Sequence, residues 1–271
     1  MRYICALTIA GSDCSGGAGI QADIKTMSAL GVYAAAAITS ITVQNTKGVK
    51  AVHGVNSLVV ADQIKAVMDD IKPDAVKIGM VNDDATIHAI ADTLKYYPKC
   101  PIVMDPIMVS TSGFNLMKPD ALELFCDSLL PMSTLLTPNL LETEILSNMK
   151  IYTIDDMDIA AQRILSLGCK AVLIKGGHLK GGEKVDRLYM ANGGVQTFTH
   201  KTIDTRNTHG TGCTLSSAIT SFIARGLNLV DAIAAAKNYL SQALEVGKDI
   251  HIGEGYGPVN HLFNPEKLIT L

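Results

Sequence analysis

Toward the C-terminal end a glycine-rich run, Thr205-Arg206-Asn207-Thr208-His209-Gly210-Thr211-Gly212-Cys213-Thr214, opens a stretch with apolar residues at helical spacing (Leu215, Ile219, Phe222, Ile223). The spacing predicts a helix over 211–225. Gly210, Thr211 and Gly212 would then present bare N–H groups at its N-terminus. There the positive end of the helix dipole favours an anion such as phosphate. Cys213 falls in the same first turn, where those amides would lower a thiol's pKa toward the thiolate. A solitary cysteine reads as a small buried hydrophobe. Inside a glycine nest, chemistry is the better reading.

Acids, amides and a lysine recur just after short apolar runs. Asp105 follows Ile102–Met104 and precedes Pro106. Asn139 and Glu142 follow 134–136, at a spacing that also suits a helix cap with an acid in the first turn. Lys175 opens Lys175-Gly176-Gly177-His178 at the end of another run. Carboxylates and a cation near an anion nest suit Mg²⁺ bridging phosphates.

Near the N-terminus, Gly11-Ser12-Asp13-Cys14-Ser15-Gly16-Gly17-Ala18-Gly19 joins an apolar run to a helical stretch. Its tail satisfies G-x-G-x-x-A. A dinucleotide site needs an acid about 20 residues further on, yet after Asp23 none comes until Asp62. No G-x-x-x-x-G-K-[ST] occurs either, which excludes a P-loop. What remains is backbone that turns sharply or approaches something closely. Asp23 alone would be a solvated helix acid, and Gln44, beside Asn45, would cap a turn. Together with Gly11 they would offer donors and acceptors to a polar ring. Met80 ends Lys77-Ile78-Gly79 at a further strand end. The seven histidines do not cluster as metal ligands, and His209 is expected to have a local structural role.

These groups need a scaffold, and apolar runs alternate with helix-period stretches almost throughout. The strand candidates are 4–10, 34–43, 75–78, 102–104, 134–136 and 171–174, mostly unbroken apolar runs, as in parallel strands buried on both faces. Helices are expected over 19–30, 58–71, 83–95, 119–129, 140–146, 153–167, 211–225 and 229–246. Two short strands, 184–190 and 194–199, flank an Asn192-Gly193 hairpin signal. Segment 110–118, polar and glycine-containing, is a candidate flap. This alternation implies right-handed crossovers and a doubly wound α/β sheet in one domain. A closed eight-stranded barrel is the competing architecture. In both, ligands bind at the carboxyl ends of the strands.

Composition narrows the function. Of 271 residues 48% are apolar and 18% charged, with net charge −3, so the chain is neither disordered nor equipped to hold nucleic acid or an anionic membrane. Six cysteines without C-x-x-C spacing argue against zinc or a redox dithiol. The opening run MRYICALTIAGSD is too short for a membrane span and lacks a small-residue cleavage site. It reads as a first strand, and a reducing, cytoplasmic setting with free thiols is expected.

Taken in order, ALTIAGSDCSGGAGIQADIKT, QNT, KIGM, MDPIMVSTSG, LLTPNLLETE, IKGGH and NTHGTGCT resemble the ribokinase superfamily, in particular its hydroxymethylpyrimidine/phosphomethylpyrimidine kinases of thiamine biosynthesis. The resemblance runs from residue 4 to about residue 246. It implies a three-layer α/β/α fold and ATP-dependent phosphorylation of 4-amino-5-hydroxymethyl-2-methylpyrimidine, then of its monophosphate. Positions matching Gly11, Asp23, Gln44 and Met80 line the pyrimidine pocket in that family, and the position matching Cys213 is the proposed general base. Those matching Asp105, Asn139 and Glu142 organise Mg²⁺ and the ATP phosphates. On this reading the Gly210 and Gly212 amides stabilise the transferring group, and Lys175, Thr208 and Thr211 hold phosphate. A homodimer is implied, and a monovalent cation is a further candidate. Most of the superfamily has Asp at the Cys213 position, so Cys favours the pyrimidine branch. Cys14 stands where the family often has Pro or Ser, and Ser110-Thr111 where many members have Ala-Lys. The rival within the superfamily is a pyridoxal or pyridoxine kinase, against which Gln44 speaks.

Overall fold

The computed structural model describes the chain except residues 110–112, 114, 115, 119 and 177–182. Most of the expected flap, and Gly177-His178, lie outside the described residues. The elements are β1 (Cys5–Asp13), α1 (Gly19–Ala29), β2 (Tyr33–Asn45), β3 (Gly48–Gly54), α2 (Ser57–Asp70), β4 (Ala75–Ile78), α3 (Asp84–Leu94), β5 (Ile102–Met104), α4 (Ala121–Leu124), β6 (Leu135–Leu136), α5 (Leu140–Ser147), α6 (Ile154–Leu165), β7 (Ala171–Lys175), β8 (Glu183–Met190), β9 (Val195–Lys201), α7 (Thr211–Ala224) and α8 (Leu229–Gly247).

Among the described residues nine strands form one open sheet in the order β3-β2-β1-β4-β5-β6-β7-β8-β9, so the closed barrel is excluded. From β2 to β7 every pairing is parallel; β3 runs antiparallel on one edge and the β8–β9 hairpin on the other. Strand β1 shows why the sheet sits at the centre. Leu7 and Ile9 pack with α2 and α3 on one face, whereas Ala6 meets Met27 of α1 on the other. Val103, Leu135 and Leu173 meet Leu215, Ile219 and Ile233 of α7 and α8 on that second face. The result is three layers, with the central strands β1, β4, β5, β6 and β7 buried on both sides, as their unbroken apolar runs implied.

Two local expectations fail. Strand β3 has no counterpart in the expected elements, because Lys50 and His53 on an edge strand break any continuous apolar run. The expected helix over 119–129 is α4 followed by a π turn, Phe125–Leu129, and a 3-10 turn, Leu130–Met132. Pro131 cannot supply the N–H that would continue an α-helix. The chain runs from β1 outward to β2 and then returns past β1 to β4. Strand order therefore reverses beside β1, where a crevice opens at the carboxyl ends.

Candidate active site

A cavity of about 820 Å³ occupies that crevice. Gly11 and Asp13 reach it from β1, Gln44 from β2, Met80 from beyond β4, Asp105 from beyond β5, Asn139 and Glu142 from beyond β6, and Lys175 from β7. Thr208, Gly210, Thr211, Gly212 and Cys213 close it from the start of α7.

The loop before α7 is built for close backbone approach. Gly210 caps the helix at φ 79°, and a Cβ there would lie 1.9 Å from the Gly17 carbonyl oxygen. Only glycine fits, so the α7 loop and the β1 glycine loop press together. A Cβ on Gly212 would lie 3.5 Å from Asp105 Oδ2 and 3.7 Å from Lys175 Nζ. The bare amides of α7 therefore face a carboxylate and an ammonium across a narrow gap.

Asp105 is held from three sides. Thr137 Oγ1 donates to its Oδ1 at 3.1 Å and Lys175 Nζ at 3.2 Å, while Ser216 Oγ lies 3.2 Å from its Oδ2. Asn139 and Glu142 form a reciprocal capping box on α5: Glu142 N donates to Asn139 Oδ1 at 2.9 Å, and Asn139 N to Glu142 Oε2 at 2.8 Å. The capping and the cavity-lining readings of this pair hold together. Burial pushes the Glu142 carboxyl up to about 7, with Lys175 pulling it down and Asp105 pushing it further up. For Lys175, burial disfavours the ammonium, but the Asp105 and Glu142 carboxylates outweigh it and raise the pKa.

Cys213 lines the cavity at 7% exposure. The expected lowering of its thiol is corrected by the structure. Burial dominates and pushes it up to about 11; Lys77 lowers it, Asp23 and Asp105 raise it, and a Gly19 hydrogen bond lowers it. The helix dipole argument fails because the Cys213 thiol itself is buried, and desolvation of the thiolate outweighs the favourable amides.

Asp23 is the second correction. Its carboxylate is fully buried and does not line the cavity. Lys77 Nζ donates to Oδ1 at 3.0 Å and to Oδ2 at 2.9 Å, Thr8 Oγ1 to Oδ2 at 2.6 Å and Ser217 Oγ to Oδ1 at 2.6 Å. These partners leave it nothing to offer a ligand. Instead it joins β1, β4 and α7 beneath the site.

At the β1–β2 end of the cavity, a Cβ on Gly11 would lie 2.7 Å from Ser40 Oγ and 3.2 Å from Met80 Sδ, so glycine here makes room for both. Gln44 Nε2 lies 3.2 Å from His209 Nε2, and Thr42 Oγ1 lies 3.2 Å from Gln44 Oε1. His209 Nε2 is 2.7 Å from Asp13 Oδ2. Burial alone would raise the Asp13 carboxyl, but hydrogen bonds from His209 and Ser15 outweigh it and hold it at about 2. A glycine-rich strap from the C-terminal region ties this end together: Tyr256 N donates to Thr46 O at 2.9 Å and His209 N to Gly257 O at 3.0 Å.

Several groups lining the cavity were not foreseen. Asp13 is hidden in sequence inside the glycine motif, although its place at the end of β1 is a usable signal. His209, expected to have a local structural role, also lines the cavity beside Asp13. Lys237 of α8 pairs with Asp186 of β8, which also accepts from Gly176 N at 3.0 Å. No local pattern separates Lys237 from the solvated lysines of other helices. Ile203, Leu240 and Leu244 give that end an apolar wall.

Among the described residues no group of three or more His, Cys, Asp or Glu is placed to hold a metal ion. Asp105 and Glu142 supply two carboxylates on the cavity wall. That donor set suits Mg²⁺, which keeps its waters and completes its shell with phosphate, rather than a cage built of protein alone. No helix among the described residues is long and apolar enough to cross a membrane.

Comparison with known proteins shows the family. The family model described as phosphomethylpyrimidine kinase matches residues 13–260. The hydroxymethylpyrimidine/phosphomethylpyrimidine kinase of Rhizobium meliloti is 49% identical over 258 residues, 94% of this chain and 96% of that protein. The crystal structure of phosphomethylpyrimidine kinase from Clostridium difficile superposes with a TM-score of 0.79 at 47% identity, covering 89% of this chain and 99% of that one. A pyridoxal kinase of Bacillus subtilis, solved as an ADP complex, gives a TM-score of 0.86 at 37% identity, over 96% and 98% of the two chains. The chain belongs to the phosphomethylpyrimidine kinase family.

Proposed function

We propose that the chain transfers the γ-phosphoryl group of ATP to the hydroxymethyl group of 4-amino-5-hydroxymethyl-2-methylpyrimidine. A second transfer, onto the resulting monophosphate, gives the diphosphate used in thiamine biosynthesis. One observation carries the reading. One cavity is lined by the Gln44 carboxamide with Gly11 and Met80, by the Gly210–Cys213 turn with its thiol, and by Lys175, and this supports a polar-ring site beside a phosphate site.

Phosphoryl transfer asks mainly for in-line positioning and charge neutralisation. The Gly210–Cys213 amides act as an oxyanion hole does, stabilising charge on the transferring group. Lys175 and Thr211 hold phosphate oxygens beside them, with Asn139 and Thr208 at the margin. Asp105 and Glu142 would hold Mg²⁺, which supplies charge neutralisation on the polyphosphate. The apolar wall around Leu240 and Leu244, with Lys237 at its edge, suits a nucleobase. Cys213 aims the hydroxymethyl group and takes its proton through the small thiolate fraction of a thiol held near 11. In-line geometry then delivers the oxygen to phosphorus.

The residues act as one catalytic domain, and the family resemblance further suggests a cytoplasmic homodimer, which sedimentation equilibrium would test. An assay of ADP release with the pyrimidine, its monophosphate and pyridoxal side by side tests the assignment. Turnover that depends on the pyrimidine supports it; ATP hydrolysis indifferent to the pyrimidine would sink it. Pyridoxal phosphorylation is the second reading, favoured by the likeness to the Bacillus subtilis enzyme.

A further inference from the structure

Asp13, His209, Thr42 and Gln44 meet at the substrate end of the cavity, and their hydrogens can be counted. Ser15 donates to Asp13 Oδ1 through N at 2.8 Å and Oγ at 2.7 Å. Ala18 N donates to Oδ2 at 2.9 Å, the oxygen that also lies 2.7 Å from His209 Nε2. Three donors already converge on Asp13, and an ionised carboxylate only accepts. A carboxyl is ordinarily ionised at neutral pH, and these three donors favour that state independently of His209. His209 Nε2 must therefore carry a hydrogen.

That nitrogen also lies 3.2 Å from one end of the Gln44 carboxamide. A nitrogen bearing a hydrogen in its ring plane has no lone pair for an NH₂ donor. The end beside His209 can only share, as a second and more distant acceptor, the hydrogen that Asp13 Oδ2 takes at 2.7 Å, and so must be oxygen. Thr42 gives the same answer independently. Its hydroxyl has one hydrogen, and Ser12 O takes it at 2.9 Å. With the hydroxyl hydrogen on that shorter contact, the end of Gln44 that lies 3.2 Å from Thr42 Oγ1 is left to donate, which makes it NH₂. The two ends of a carboxamide have nearly the same shape, so hydrogen bonding decides between them.

We propose that Asp13, through His209, and Thr42 lock the Gln44 carboxamide in one orientation, Oε1 toward His209 and Nε2 toward Thr42, and so set which ring edge the site accepts. Asp13 and His209 are then positioning residues for ring recognition. Each end of the amide spends one hydrogen bond on the wall and keeps one for a ligand. Nε2 retains an N–H and Oε1 a lone pair. A 4-aminopyrimidine offers the matching pair, a ring nitrogen that accepts and an amino group that donates. The 4-oxo analogue carries the same two atoms with their roles exchanged. Its ring cannot turn over to compensate, because the hydroxymethyl group must still face Cys213. The proposal rests on the pyrimidine kinase reading for its ligand, but not for the orientation of Gln44.

The test compares kcat/KM for the aminopyrimidine and its 4-oxo analogue in the wild-type protein and in Asp13→Asn, His209→Ala and His209→Gln. Asp13→Asn and His209→Ala should each reduce the amino-over-oxo preference by about tenfold or more, with the loss in the pyrimidine KM and the KM for ATP unchanged within about twofold. His209→Gln, which can keep an N–H toward Asp13, should restore part of the preference. A preference unchanged in all three variants overturns the proposal. Should the variants fail to fold, ¹⁵N spectra of the wild-type imidazoles decide it. A hydrogen on His209 Nε2 supports the lock, and a bare Nε2 with the hydrogen on Nδ1 refutes it. Wild-type protein that does not turn over the pyrimidine would remove the ligand assignment alone, and the imidazole spectra would still judge the orientation.

Discussion

Cys213 makes the sharpest demand on the mechanism, because its thiol is raised rather than lowered. With the pKa at about 11, roughly one site in ten thousand is thiolate at pH 7, and roughly one in a hundred at pH 9. If the thiolate accepts the hydroxyl proton, kcat should climb about tenfold per pH unit across this range. Cys213→Ala should show no such climb. The quantity to plot is the ratio of wild-type to variant kcat, measured by ADP release at saturating ATP and pyrimidine from pH 6.5 to 9.5. Glu142 titrates in the same window, near 7, and the ratio cancels its contribution at each pH. A general base is worth about 10² to 10⁴ once it is in its active form, so the ratio should widen steadily toward that scale at the alkaline end. A ratio that stays constant with pH would show that Cys213 acts by shape and not by proton transfer. A ratio below about twofold throughout would remove it from the mechanism.

Three further outcomes are expected. Asp13 has its carboxyl at about 2 in the folded chain against an ordinary 3.8, a difference of about 2 kcal/mol. This stability is present above roughly pH 4 and is lost as pH falls through 2, so Asp13→Asn should unfold at lower urea at pH 7 but converge with wild type in acid. Lys77→Met should cost about 3 to 5 kcal/mol in urea unfolding, since it strands the buried Asp23 charge, whereas Asp23→Leu with Lys77→Met should recover most of the loss; a double variant as unstable as the single one would contradict the account. Gly210→Ala, which drives a Cβ onto the Gly17 carbonyl, should lower kcat by at least about tenfold while leaving most of the cooperative unfolding intact.

The sheet was legible because parallel strands buried on both faces leave unbroken apolar runs. β4 and β5 coincide with their expected limits, and the Asn192-Gly193 turn joins β8 to β9 as its chemistry required. The edge strand β3 was not, since an edge carries no such run. Residues at strand ends were equally legible: Gln44, Met80, Asp105 and Lys175 all reach the cavity because a carboxyl end in a parallel sheet can point nowhere else. Charge state was not legible. Whether Asp23 faces a ligand or an ammonium depends on Lys77, 54 residues away, and the Cys213 thiol answers to burial that no local pattern announces. Lys237 shows the same limit, for its partner Asp186 lies on another element.

The strap at 256–257 has a consequence for synthesis. The β1 glycine loop emerges first, yet it rests against His209 and Gly210, and His209 in turn hangs from Gly257. Nearly the whole chain must therefore be made before the cavity can close. Such long-range contacts are slow to form, so a nascent chain carries a finished sheet edge long before it carries a site. A polypeptide that stops short of residue 257 should therefore lack the contact that holds His209, and with it the closed cavity.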